Sequence, residues 1–302
     1  YEAGTSITTG VNNTLIGSIA GDAITTANSI VAVGYSAAGS ITTGSNNVAV
    51  GQNALASSTT DNSNVAVGHE SLLTLDGGDI NTAMGFQSGR AVTTGNRNVL
   101  LGSRAGTGLT TGSDNTVVGR DALFSDTLGS HSVAIGHDAL ATQNFTTATD
   151  SFNTAVGHSA GIRLTTAVAC TFIGNQAGEN VTTGSTNTFV GSSAGVGSSS
   201  NKLTGAENTA VGQGAGQDLQ GAANRNTIVG RDAGSNITTG SENTCLGYAA
   251  GDTITTGGSN IIIGSGADGA TNQENSITIG IGIGGGNNDF AFGKVSNVVF
   301  ND

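Results

Sequence analysis

The residues best suited to recognition chemistry in this 302-residue chain fall in one column, each directly after a glycine that itself follows an apolar residue. They are Tyr35, Gln52, His69, Phe86, Arg120, His137, His158, Asn175, Arg231 and Tyr248, and the next position adds Glu70, Arg104, Asp121, Asp138, Gln176 and Asp232. Pointing outward, they would form a stripe of aromatic and polar groups suited to stacking on sugars and hydrogen-bonding them, as a receptor-binding face needs. The alternative is that they are solvated, or packed between chains.

Other residue types with chemical potential fall short of a site. His137 and His158 occupy the same column in neighbouring units, but a metal centre needs more ligands than two, so no metal and no cofactor is expected. Asp76 and Asp79 form an isolated acidic pair that could at most hold a surface ion. Cys170 and Cys245 are four units apart, about 19 Å along a stacked structure, beyond disulfide reach, and read as small buried hydrophobes. The glycine runs 212–216 and 280–284 mimic nucleotide-loop spacing without a strand-to-helix context. No Ser/His/Asp set or carboxylate pair stands out, so an enzyme is not expected.

What positions the column is a repeat. An apolar residue followed by glycine recurs every 17 residues from Gly17 to Gly136 and continues to Gly280, with four extra residues before Gly157 and Gly212 and one before Gly230. The pre-glycine column includes Val33, Val50, Val67, Val118, Val156, Val190 and Val211 and is expected to point inward as the core. The β-branched residues around it predict a strand of three to four residues. Four positions before the glycine stands asparagine in twelve of sixteen units, among them Asn47, Asn64, Asn81, Asn98 and Asn115, which predicts an amide ladder at a corner. Small pairs such as Ala105-Gly106 and Ala177-Gly178 predict a second corner. Segments such as Ile41-Thr42-Thr43-Gly44 predict a second short strand. So small a unit cannot bury its own apolar face and must stack on its neighbours. The expectation is an all-β parallel solenoid of about sixteen 17-residue repeats over residues 1–280, a rod of roughly 70 Å. Residues 281–302 are read as a cap or neck leading into a further part, with Phe290, Phe292 and Phe300 available to plug the end of the roll in a trimer. The inserted residues 141–151 and 197–205 are expected as surface loops.

The run Asn-Thr-Ala-Val-Gly-x-x-Ala-Gly, at 153–161 and again at 208–216, resembles the head repeats of trimeric autotransporter adhesins of the YadA type. The longer form with Thr-Thr-Gly-Ser-x-Asn, at 110–115 and 238–243, resembles bacteriophage tail-fibre repeats. The likeness covers about residues 5–280 and is carried by recurrence in register. It implies a left-handed β-roll assembled as a homotrimer, its apolar columns knitting three rolls together, and an attachment protein of a virion tail fibre. The implied partners are other tail proteins and a bacterial surface glycan or protein. The nearest variant is a cellular adhesin on the bacterial surface.

Composition agrees with a thin core: 50 glycines, no proline, no tryptophan and 4 % aromatics leave few large anchors. A net charge of −12 opposes nucleic acid, and no apolar run reaches the roughly 18 residues of a membrane span. The chain begins without methionine, which suggests processing or a piece of something longer. An ice-binding solenoid and a plain fibrous spacer are the remaining alternatives. For ice binding, paired threonines point to opposite sides of a strand, so only one rank per turn would face out.

Overall fold

The computed structural model describes residues 2–294 and 297–301, with side chains described up to 293. Among them the chain is all-β and contains no helix, hence none long and apolar enough to cross a membrane. It is a parallel β-solenoid of about sixteen turns, in two compact units, Tyr1–Phe152 and Asn153–Asp302. In the first unit the strands Thr14–Ile16, Val31–Val33, Val48–Val50, Val65–Val67, Thr82–Met84, Val99–Leu101, Thr116–Val118 and Val133–Ile135 pair in parallel. Register follows the repeat, Val31 opposite Val48 and Val48 opposite Val65. The second unit stacks likewise from Thr154–Val156 to Ile277–Ile281, and Thr188 pairs with Thr209 across the insertion.

The strands are three residues long because the sequence ends each one with glycine. The anchor glycines hold φ near +135°, as at Gly34 and Gly102, a conformation side-chained residues rarely adopt. A Cβ on Gly34 would lie 2.6 Å from the carbonyl oxygen of Gly51 in the next turn. Glycine is therefore required twice over, by conformation and by close approach.

Alternation within so short a strand puts only its middle residue inside. Ala32, Ala49, Ala66, Leu100, Val117, Phe172, Phe189 and Ile228 are completely buried. The columns expected to be the core are not: Val33, Val50, Val67, Val118, Val156, Val190 and Val211 are half-buried on the opposite face of the same strands. Others in that column are more open still, Ile16 at 59 %, Met84 at 46 % and Leu246 at 46 % exposure. Valine on both flanks and alanine in the middle made the outer face look like the core, whereas a narrow lumen selects the smaller residue.

In several turns a large residue is matched by a small one across that lumen. Where the second corner carries Leu55, Leu72 or Leu140, the facing strand residue is Ala49, Ala66 or Ala134. Where the corner is Gly178, the strand supplies Phe172, whose ring would lie 2.6 Å from a Cβ added there. Paired large and small residues fill a fixed cross-section without strain.

The second expected strand is absent from most turns. Instead, Thr25, Thr26 and Ala27 all donate their amides to the Thr42 carbonyl, at 3.0, 3.2 and 3.3 Å, so the segment bends around one acceptor. The first threonine of each pair donates its hydroxyl to the same kind of carbonyl, as Thr42 Oγ1 to Thr59 O at 3.1 Å and Thr110 Oγ1 to Thr127 O at 2.9 Å. One exposed rank remains, including Thr43 and Thr111.

At the far end, Ile277–Ile281 pairs in parallel with Phe290–Lys294, which pairs antiparallel with Asn297–Asn301. Phe290 and Phe292 are 42 % and 56 % exposed, on the outer side of that strand. The Phe300 side chain lies outside the described ones.

Candidate functional site

The anchor-glycine turn throws the following residue outward, and the stripe expected there is exposed or half-buried. Tyr35 and Tyr248 are each 54 % exposed and Phe86 48 %; Arg120, Arg231 and His158 are also exposed, while His69 and His137 are half-buried. Stacking turns bring successive members of the column into contact. His69 and Phe86 stack at 5.5 Å with an interplanar angle of 12°. Arg120 Nη2 meets His137 Nε2. Arg231 lies over the Tyr248 ring at 5.8 Å and its Nε is 3.1 Å from Asp232. His137 belongs to the first unit and His158 to the second.

The adjoining column consists of residues in left-handed conformation, and its charges pair along the axis. Glu70 accepts from Gln87 Nε2 at 2.9 Å and from Arg90 Nε at 2.9 Å, which together hold its carboxyl below the ordinary range. Arg104 donates from Nη2 to Asp121 Oδ2 at 2.7 Å, with its Nε a further 2.7 Å charge contact to Oδ1 off hydrogen-bonding geometry, and lies over Phe124 at 5.4 Å. Among the described residues, Asp121, His137 and Asp138 are the one group whose ligand atoms converge, within 4.8 Å of one another. Guanidiniums already sit in that group, since Arg104 and Arg120 both approach Asp121.

A further ladder escaped the sequence analysis. At the asparagine corner the residue before each ladder position projects outward in left-handed conformation, and there Arg97 makes a bidentate pair with Asp114 at 2.6 and 2.8 Å. His131 continues it, 3.8 Å from Asp114 and 3.0 Å from Asp150, with its ring on Phe152. In the second unit Arg225 bridges to Glu242 at 2.6 Å. The opposite charges 17 residues apart were the visible signal.

Inside that corner, Asn64, Asn81, Asn98 and Asn115 form a buried chain, each of the last three donating its side-chain amide to the preceding side-chain oxygen at 3.1–3.3 Å. Asn47 joins through its Oδ1, which accepts from the Asn64 amide at 2.9 Å. Cys170 takes a ladder position and Cys245 a strand-centre position; both are free thiols, and burial pushes them up to about 11 and about 12.

The two insertions behave differently. Gln143 and Phe145 of the first turn inward, with Gln143 Nε2 donating to the buried Asp126 carboxylate at 2.6 Å. The second ends beside an open groove of about 380 Å³ bordered by Thr204, Glu207, Asn224 and Arg225.

One buried carboxyl is poorly accommodated. Asp61 replaces the glycine of this corner and is 3 % exposed; Oδ1 accepts from Gly77 N at 2.7 Å, but Oδ2 makes no hydrogen bond. Burial raises its pKa, and the Ser58 hydroxyl, off hydrogen-bonding geometry, offsets this only in part; Asp76 and Asp79 raise it further. A raised folded-state pKa means that the ionised form opposes folding, so the penalty is absent below the ordinary 3.8 and grows as pH rises through the folded value. Asp61→Asn is therefore expected to melt higher than the parent at pH 7, with the difference vanishing toward pH 3.5. An equal difference at both pH values would show that charge is not the cause.

Comparison with protein-family models and with curated protein sequences finds no match.

Proposed function

We propose that the chain is a structural and attachment protein: a shaft segment of a homotrimeric, left-handed β-roll fibre of the tail-fibre kind, which contacts a bacterial surface through its outward stripe. The cell-surface adhesin is the same reading in a different setting. The observation that carries it is the outer face of the strands, where a β-branched or aliphatic residue stands half-exposed or exposed in turn after turn of each unit. An apolar lane that recurs in turn after turn is the kind of surface that association covers. Further copies of the same chain supply a matching lane at the same axial spacing.

Val118→Glu in the first unit and Val190→Glu in the second are expected to leave a folded chain that no longer assembles, because the charge would be desolvated between copies. Thr111→Ala, on an exposed rank, is the control and is expected to change stability by less than about 0.5 kcal/mol. Folded assemblies from both glutamate variants would remove this face from the interface. Attachment itself is tested by adsorption of the labelled protein to a panel of bacterial strains: saturable uptake by at least one strain is expected, and uptake no greater than that of an albumin control on every strain would contradict it.

A further inference from the structure

The post-glycine column of the first unit carries a large side chain in each turn from Tyr35 to Phe86, and then Ser103 stands between Phe86 and Arg120. Phe86 lies with one face on His69, so its other face looks along the axis toward the Ser103 turn. Arg120 leans the opposite way, its Nη2 on His137 and its Nε 3.7 Å from Asp121. Two steps of about 4.8 Å separate the Phe86 and Arg120 turns, roughly 9.6 Å, with Ser103 as the column's residue between them. A saturated six-membered ring held between two side chains needs two contacts of about 3.5–4.0 Å, some 7–8 Å in all. The gap therefore takes one such ring and no more.

The chemistry around the gap selects the ligand. Phe86 offers an apolar face, while Ser103 and Arg120 offer hydroxyl and guanidinium partners. Three guanidiniums, Arg90, Arg104 and Arg120, stand among three carboxylates, Glu70, Asp121 and Asp138, and are paired with them or with His137. No net charge is left for a charged ligand to match, which disfavours an acidic sugar or a peptide terminus. We infer that the gap at Ser103 is a binding site for one neutral pyranose residue of a glycan, its C–H face on Phe86 and its hydroxyls on Ser103 and Arg120. The attachment reading supplies only the source of the sugar; the site stands on the gap itself.

The test is saturation-transfer NMR on the full chain with the methyl pyranosides of glucose, galactose, mannose, N-acetylglucosamine and rhamnose as probes. Transfer to ring C–H protons is expected for at least one of them. It should fall at least about fivefold in Phe86→Ala, which removes the platform, and in Ser103→Phe, which fills the gap and removes the Ser103 hydroxyl while leaving Arg120 in place. Tyr248→Ala, in the other unit, should leave it unchanged. Absence of transfer from all five, or equal transfer in Ser103→Phe, would overturn the site. Bacterial adsorption by the parent chain separates the two readings: adsorption without sugar transfer removes this site and leaves attachment, and sugar transfer without adsorption does the reverse.

Discussion

Replacing Asn98 with alanine is expected to destabilise the first unit by about 3–5 kcal/mol. Its side chain is fully buried and makes four hydrogen bonds: it donates to Asn81 Oδ1 at 3.1 Å and to Gly112 O at 2.9 Å, and accepts from the Asn115 backbone and side-chain amides at 3.0 and 3.1 Å. Alanine leaves a carbonyl and a backbone amide without partners where no water reaches, and each such group costs about 1–3 kcal/mol. The loss is not confined to one turn, because the ladder passes polarisation from amide to amide and Asn115 depends on Asn98 for its own orientation. Guanidinium unfolding and amide exchange across residues 81–115 would both report it. A loss below about 1 kcal/mol would mean that the ladder is incidental to the stack.

Gly51→Ala is expected to cost at least as much, about 4 kcal/mol or more, for a different reason. The residue holds φ +134°, and the added Cβ would lie 2.5 Å from the Gly68 carbonyl oxygen and 2.6 Å from its carbon. Those atoms belong to the backbone of the next turn and cannot rotate aside, so the two turns must separate and lose their hydrogen bonds. The corner glycines make the contrast. At Gly106, with φ +58°, the Cβ would meet only the flexible Leu100 side chain, and Leu55, Leu72, Leu123 and Leu140 occupy that column elsewhere in the same conformation. Gly106→Ala is accordingly expected to cost about 1 kcal/mol. Comparable losses at Gly51 and Gly106 would refute the distinction between backbone and side-chain crowding.

The parallel stack and its 17-residue register were legible because the anchor glycine and the ladder asparagine are obligatory in ways that composition reveals. Asparagine is rarely buried without reason, and its recurrence at one offset marks a polar ladder. The inward column was misread because apolarity alone does not say which side of a three-residue strand faces the lumen. Val50 and Val67 look more like core than Ala49 and Ala66, yet the lumen has room for alanine when Leu55 or Leu72 reaches in from the corner, and for Phe172 when Gly178 withdraws. That pairing links positions six residues apart within one turn and is invisible to a column-by-column reading. The outward stripe was located from sequence, but not its axial partnerships, which arise when residues 17 apart lie one above the other. The corner pairs of Arg97 with Asp114 and Arg225 with Glu242 were passed over because turn residues carry little hydrophobic pattern. The bend around the Thr42 carbonyl replaced an expected strand because threonine pairs favour extended chain in isolation, whereas here three amides converge on one acceptor.

Together these features give a thin core of paired large and small residues, a polar ladder at one corner, and an apolar outer face on each unit that a single chain leaves half-covered. Assembly of identical chains through that face is the centre of the account, and sedimentation equilibrium of the intact chain tests it most directly. A single species near three times 29.4 kDa is expected, unchanged on dilution through the micromolar range. A stable, folded monomer of 29.4 kDa would contradict it.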